Sequence, residues 1–109
     1  MSFLHRGDVV ALPPPRSAGG HEQKGRRYAV VVQSDAFDWL GTVLVAPTST
    51  SAQPAIFRPE ITVRRTRTRV LTDQLTTVDR SRLGRSAGRL SGAEIQELET
   101  SMSRLLGLF

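Results

Sequence analysis

Gly20-His-Glu-Gln-Lys-Gly-Arg-Arg-Tyr-Ala-Val-Val-Val-Gln-Ser-Asp35 and, six residues on, Thr42-Val-Leu-Val-Ala-Pro-Thr-Ser-Thr-Ser51 are the two stretches that decide the fold. Each carries a short apolar, β-branched run, with Val30, Val31 and Val32 consecutive in the first and Val43, Leu44 and Val45 in the second. Such runs are too short for helices and are not interrupted by polar residues, so they read as strands covered on both faces, over Arg27 to Ser34 and Thr42 to Ala46. Pro47 and the hydroxyls of residues 48–51 are expected to end the second strand. Between the two, residues 35–41 supply turn formers with Phe37, Trp39 and Leu40, read as one helical turn that plugs an end of the core.

Working outward, Val9 to Leu12 is a first short strand, bounded by Arg6-Gly7-Asp8 and by three prolines that cannot continue a central strand. Residues 13–26, rich in Pro, Gly and Ser with scattered cations, read as a long surface loop of the kind that carries function. After Pro59, Glu60 to Arg64 and Arg69 to Thr72 are expected to pair across a turn at residues 65–68, with Ile61 and Val63 facing inward, and Leu75 to Asp79 to add a strand. Ser91-Gly-Ala-Glu94 is a capping box, flanked by Leu90 and Ile95 at staple positions. Ile95, Leu98, Met102 and Leu105 then recur at helical spacing, giving one amphipathic helix over about residues 91–107. The expectation is a single domain over residues 1–109, mainly β: a small, half-open barrel of five or six strands with one C-terminal helix. The helices that an alternating βαβ layout needs are missing.

The chain has no cysteine, which removes disulfides, thiolate metal sites and a cysteine nucleophile. Neither an N-terminal apolar leader nor a run near the roughly 18 to 20 residues of a membrane span is present, so a cytoplasmic protein without membrane contact is expected. The formal net charge is +5, and fourteen of the fifteen cations are arginine. Residues 58–89 hold nine arginines against three acids. That balance favours a polyanionic partner, since guanidinium grips phosphate bidentately and stays charged.

Most site chemistries find no support. His5 and His21 are the only histidines, Asp35 and Asp38 read as caps of a turn, and no set stands at ligand spacing, so no metal is expected. Gly-x-Ser-x-Gly, the phosphate-binding loop of nucleotide hydrolases and the dinucleotide glycine fingerprint are all absent. What remains is Arg27, placed where a loop enters a buried strand, and the hydroxyls that follow the next strand. The plainer readings are an ion pair of Arg27 with Glu22 or Asp73, and turn-forming serines and threonines. From the residues alone, the chain is a basic β-domain with a possible phosphate site.

Five blocks in register add to this. Arg6-Gly-Asp-Val-Val, Glu22-Gln-x-Gly25-x-Arg27, Ala29-Val-Val-Val-Gln-Ser-Asp35, Thr42-Val-Leu-Val-Ala-Pro47 and Asp73-Gln-Leu-x-Thr-Val-Asp-x-Ser-Arg-Leu-Gly84, followed by the helix-capping Gly88-Arg-Leu-Ser91-x-x-Glu94, resemble the MazF/PemK toxin family over nearly the whole chain. The resemblance implies an SH3-like barrel, a homodimer, and a sequence-specific, ribosome-independent endoribonuclease of a toxin-antitoxin module. It further implies single-stranded RNA as substrate, silencing by a cognate antitoxin, and no metal or other cofactor. The RNA's own 2′-hydroxyl would attack, leaving a 2′,3′-cyclic phosphate and a 5′-hydroxyl. By position Arg27 takes the place of the family's catalytic arginine and Ser49 that of its catalytic threonine, with Thr48 and Thr50 as neighbouring hydroxyls that leave the choice open. Glu22, Gln23, Thr48, Thr50 and Gln74 fall on RNA-contacting positions. The chain departs from the family at Tyr28, where a proline is usual, at Thr48, where an aliphatic residue is, and at Thr76, where arginine is frequent. Those departures keep two alternatives in view: the same barrel binding RNA without cutting it, and a gyrase-directed, CcdB-like toxin. Phe37 and Trp39 read as core or dimer packing rather than base-stacking platforms.

Overall fold

The computed structural model describes residues 3–13 and 27–108. The chain forms strands β1 (Asp8–Leu12), β2 (Arg27–Val31), β3 (Thr42–Ser49), β4 (Glu60–Val63), β5 (Thr66–Val70), β6 (Thr76–Asp79) and β7 (Ser86–Arg89), then helix α1 (Gly92–Leu106). Every pairing is antiparallel, and the strand order is β4-β5-β3-β2-β1-β7 with β6 also on β3. This is the expected mainly β barrel, nearly closed, with its terminal helix. The strand beyond the expected five or six is β7, which pairs with β1 across a register shift between Val9 and Val10.

β3 is the axis of the sheet. Along one edge Val45, Ala46 and Pro47 face Val31, Val30 and Ala29 of β2. Along the other edge Thr42 to Val45 pair with β6, and Thr48 and Ser49 pair with β5. The strand therefore runs through Pro47 instead of ending there, a correction with a clear cause. The Pro47 carbonyl accepts from the Leu71 amide at 2.8 Å, so its ring nitrogen faces the same edge, in the gap between β6 and β5 where no ladder donor is needed.

Consecutive valines supply two cores because neighbouring side chains leave a strand on opposite faces. Val30 and Val32 join Val9, Ile61, Val70, Leu90 and Leu98 on one side. Ala29 and Val31 join Val43 and Val45 on the other, with Leu4, Leu12, Val78 and Leu83 packed against them. Helix α1 lies on the first cluster through buried Leu98, with Ile95 and Met102 half-buried beside it. Its capping box is complete, and Gly107 closes it in the left-handed conformation. Glu94 does a second job: its other carboxylate oxygen accepts from the Thr62 amide at 3.0 Å, which occupies a backbone donor on the edge strand β4. Gly7, at φ 97, leaves room for the helix, since a Cβ there would lie 2.8 Å from Ile95 Cδ1.

Two further expectations are corrected. The β4–β5 turn is not at residues 65–68 but at Arg64-Arg65, a two-residue loop between paired Val63 and Thr66 with φ of 49 and 68. Tight hairpins of this kind match the sheet twist, and here two arginines stand where Asn-Gly is usual. Phe37 and Trp39 do not plug the core but are exposed. The 3-10 turn Asp35–Phe37 is held by its carboxylates: Asp35 accepts from the Arg6 amide at 2.9 Å and Asp38 from the Leu4 amide at 3.0 Å. Both carboxylates turn to the backbone of residues 4–6, and Phe37 and Trp39 are left in solvent.

Candidate active site

A cleft of about 480 Å³ opens where β2 begins and β3 ends. Arg27 and Tyr28 enter it from β2, and Thr48, Ser49 and Thr50 from β3 and the turn after it. The β4–β5 hairpin contributes Val63, Arg64, Thr66 and Thr68, and Leu71 and Gln74 complete the wall. Among the described residues no carboxylate lines it, so its charge is that of Arg27 and Arg64.

Register sets the geometry. Ala29 stands opposite Pro47, where the β2–β3 ladder ends, so Tyr28 and Arg27 lie beyond it on β2 and Thr48 and Ser49 beyond it on β3. The Thr48 hydroxyl ties these two extensions together by donating to the Tyr28 carbonyl at 3.1 Å. Thr48 and Ser49 leave β3 on opposite faces, and both line the cleft with Arg27. The three hydroxyls also differ in engagement. Thr48 has its proton committed to β2. Ser49 Oγ accepts from the Ser51 amide at 3.3 Å and lies 3.2 Å from Ser51 Oγ, an exchangeable pair in which either oxygen donates. Thr50 is exposed at the turn.

Ser49 has an arginine on its other side, since it pairs with Arg69 of β5. That guanidinium is engaged elsewhere, donating to the Arg58 carbonyl at 3.0 Å and reaching Glu60 at 3.5 Å. Asp73 does not pair with Arg27. Arg58 holds it through two hydrogen bonds, Nε to Oδ1 at 3.0 Å and Nη2 to Oδ2 at 2.9 Å. The bond from Arg58 keeps the Asp73 carboxyl below its ordinary range, and it fixes the turn Thr72–Gln74 that brings Gln74 to the cleft.

Of the residues proposed from sequence, Arg27, Ser49, Thr48, Thr50 and Gln74 come together in this one cleft. Glu22 and Gln23, like most of the loop expected over residues 13–26, lie outside the described residues. Sequence reasoning missed Tyr28, Arg64, Thr66 and Thr68 as lining residues. Only a correct placement of the hairpin turn would have pointed to the last three. Among the described residues no group of three or more His, Cys, Asp or Glu is arranged to hold a metal ion.

Residues 5–106 match the family of PemK-like, MazF-like toxins of type II toxin-antitoxin systems. The chain belongs to this family. A candidate toxin of Mycobacterium tuberculosis is 43% identical over 104 residues, 94% of this chain and 97% of that protein. Among solved structures, MazF of Deinococcus radiodurans superposes with a TM-score of 0.75 at 25% identity, covering 98% of this chain and 99% of that one. An endoribonuclease of mycobacterial species, in complex with its cognate antitoxin, gives a TM-score of 0.78 at 19% identity over 96% of both chains, a likeness of fold. The barrel and helix of this MazF-like chain are therefore those of the family, and none of its described helices is long and apolar enough to cross a membrane.

Proposed function

We propose that this toxin is an endoribonuclease that cuts single-stranded RNA at specific sequences, without the ribosome or a metal ion, and that Arg27 and Ser49 are its catalytic pair. The observation that carries the reading is that Arg27 and Ser49 line one carboxylate-free cleft of a MazF-like chain, counting the described residues. The structurally similar mycobacterial endoribonuclease lends the activity its precedent.

In this reading the ribose 2′-hydroxyl on the 5′ side of the scissile bond attacks phosphorus. The bond to the 5′-oxygen breaks, leaving a 2′,3′-cyclic phosphate and a 5′-hydroxyl, and the proton lost from the 2′-oxygen is balanced by one gained at the leaving oxygen. Charge builds on the non-bridging oxygens, where a fixed guanidinium stabilises the transition state more than the ground state. Arg27 supplies that charge from the first residue of a strand, and the Ser49 hydroxyl donates beside it. Charge stabilisation is the role assigned to Arg27 in this reading. Gln74 and Thr50, with Glu22 and Gln23 from the loop, contact base or ribose. The protein works as a cytoplasmic homodimer and is silenced by a cognate antitoxin.

The test is the chemistry of the cut. RNA oligonucleotides carrying ribose or 2′-deoxyribose at the mapped cleavage position are incubated with the protein and the fragment ends identified. Cyclic-phosphate and 5′-hydroxyl ends, with the deoxy substrate resistant, are expected; cleavage of the deoxy substrate overturns the mechanism. Salt-sensitive binding without any cleavage would support the non-cutting alternative instead.

A further inference from the structure

The β4–β5 hairpin tip carries an anomaly that the catalytic pair does not use. Arg64 and Arg65 both hold positive φ in a loop where glycine or asparagine fits without steric conflict. β3 ends at Ser49 opposite Arg69, while β5 begins three residues earlier at Thr66, so the tip runs past the end of β3 and overhangs the cleft. Arg64 lines that cleft and Arg65 does not. Three nearby cations have carboxylate partners: Arg58 has Asp73, and Arg67 and Arg69 share Glu60. Among the described residues Arg64 has no carboxylate partner.

We propose that Arg64 is an RNA-contacting residue that grips a backbone phosphate other than the scissile one, holding the strand across the cleft between the hairpin tip and Arg27. The inference rests on the endoribonuclease reading and extends it to a second cation. A guanidinium on a long arm at an exposed tip suits phosphate, which it meets bidentately, and not a defined base edge. At Arg64 the left-handed backbone then carries a side chain that binding uses, and only Arg64 of the two lines the cleft.

The experiment compares wild type, Arg64→Gly, Arg64→Lys and Arg65→Gly in three readouts. These are the melting temperature, single-turnover cleavage of an RNA oligonucleotide, and affinity for the same oligonucleotide with 2′-O-methyl ribose at 50 and 200 mM salt. Glycine relieves the strain at either position, so both glycine variants melt a few degrees higher. Arg64→Gly binds about tenfold more weakly, with a salt slope lower by about one, and keeps its saturating cleavage rate within roughly threefold. Arg64→Lys recovers most of the affinity, and Arg65→Gly binds as wild type does. If wild type cuts and Arg64→Gly binds with unchanged affinity and salt slope, this inference falls alone. If wild type neither cuts nor binds RNA, the endoribonuclease reading falls and takes this inference with it.

Discussion

The two ends of β2 use the same residue type for opposite purposes. At the far end, beyond Val31, arginines close the barrel against carboxylates and carbonyls. Arg6 donates to the Val32 carbonyl at 2.8 Å and to Glu99 at 3.0 Å, Arg80 pairs with Asp38 at 2.9 Å, and Arg89 pairs with Asp8 at 2.7 Å. At the near end Arg27 and Arg64 line an open cleft without such partners among the described residues. A paired guanidinium has its donors and its field neutralised and holds structure together. An unpaired one at a cleft keeps both for an anion. The difference teaches that arginine content alone says little about function until the pairing is known.

The contrast can be broken from either end. Removing the near-end charge should have the largest effect: Arg27→Ala is expected to slow RNA cleavage about 10³-fold while leaving the melting temperature within a few degrees. Ser49→Ala should cost roughly 10²-fold in single-turnover rate, and Ser49→Thr, which keeps the hydroxyl, less than about tenfold. Thr48→Val should do the reverse. Loss of its bond to the Tyr28 carbonyl destabilises by about 1 kcal/mol, read by urea unfolding, with cleavage changed less than about fivefold. At the far end Arg6→Ala should lower the melting temperature by a few degrees and leave cleavage within about threefold of wild type.

The smallest effect sharpens the contrast by pH. Asp35 is held below its ordinary 3.8 first by the Arg6 amide, and Asp38 first by the Leu4 amide and then by Arg80. The native carboxyls therefore lose their protons at lower pH than the unfolded ones. The stability they add is complete above the unfolded value near 4 and disappears as pH falls through the lowered native values. Urea midpoints measured between pH 5 and 2 should decline, and Asp38→Asn should flatten part of that decline without altering RNA cleavage at neutral pH.

Much of this was legible in the sequence, for reasons tied to particular residues. Val30 to Val32 could only be a strand with a core on each side, and Ser91 with Glu94 fixed the helix start to the residue. β7 was not legible because Ser-Ala-Gly-Arg shows no apolar alternation; its pairing comes from β1 and from the Gly84 amide bonding the Ala11 carbonyl at 2.8 Å. The hairpin turn was misplaced because Arg64-Arg65 lacks the usual turn residues, and that error hid the cleft's second cation. The exposure of Phe37 and Trp39 follows from backbone donors at Leu4 and Arg6, far away in the chain, which local patterning cannot see. That Arg27 and Ser49 come to one cleft was legible as proximity of two strands.

The most direct measurement of the central claim is incubation of the purified protein with a mixed RNA pool in EDTA, followed by sequencing of the fragment ends. The account predicts cuts at a recurring short motif, made at full rate without metal and lost in Arg27→Ala. Intact RNA, cleavage that appears only when magnesium is restored, or equal cutting by Arg27→Ala would contradict it.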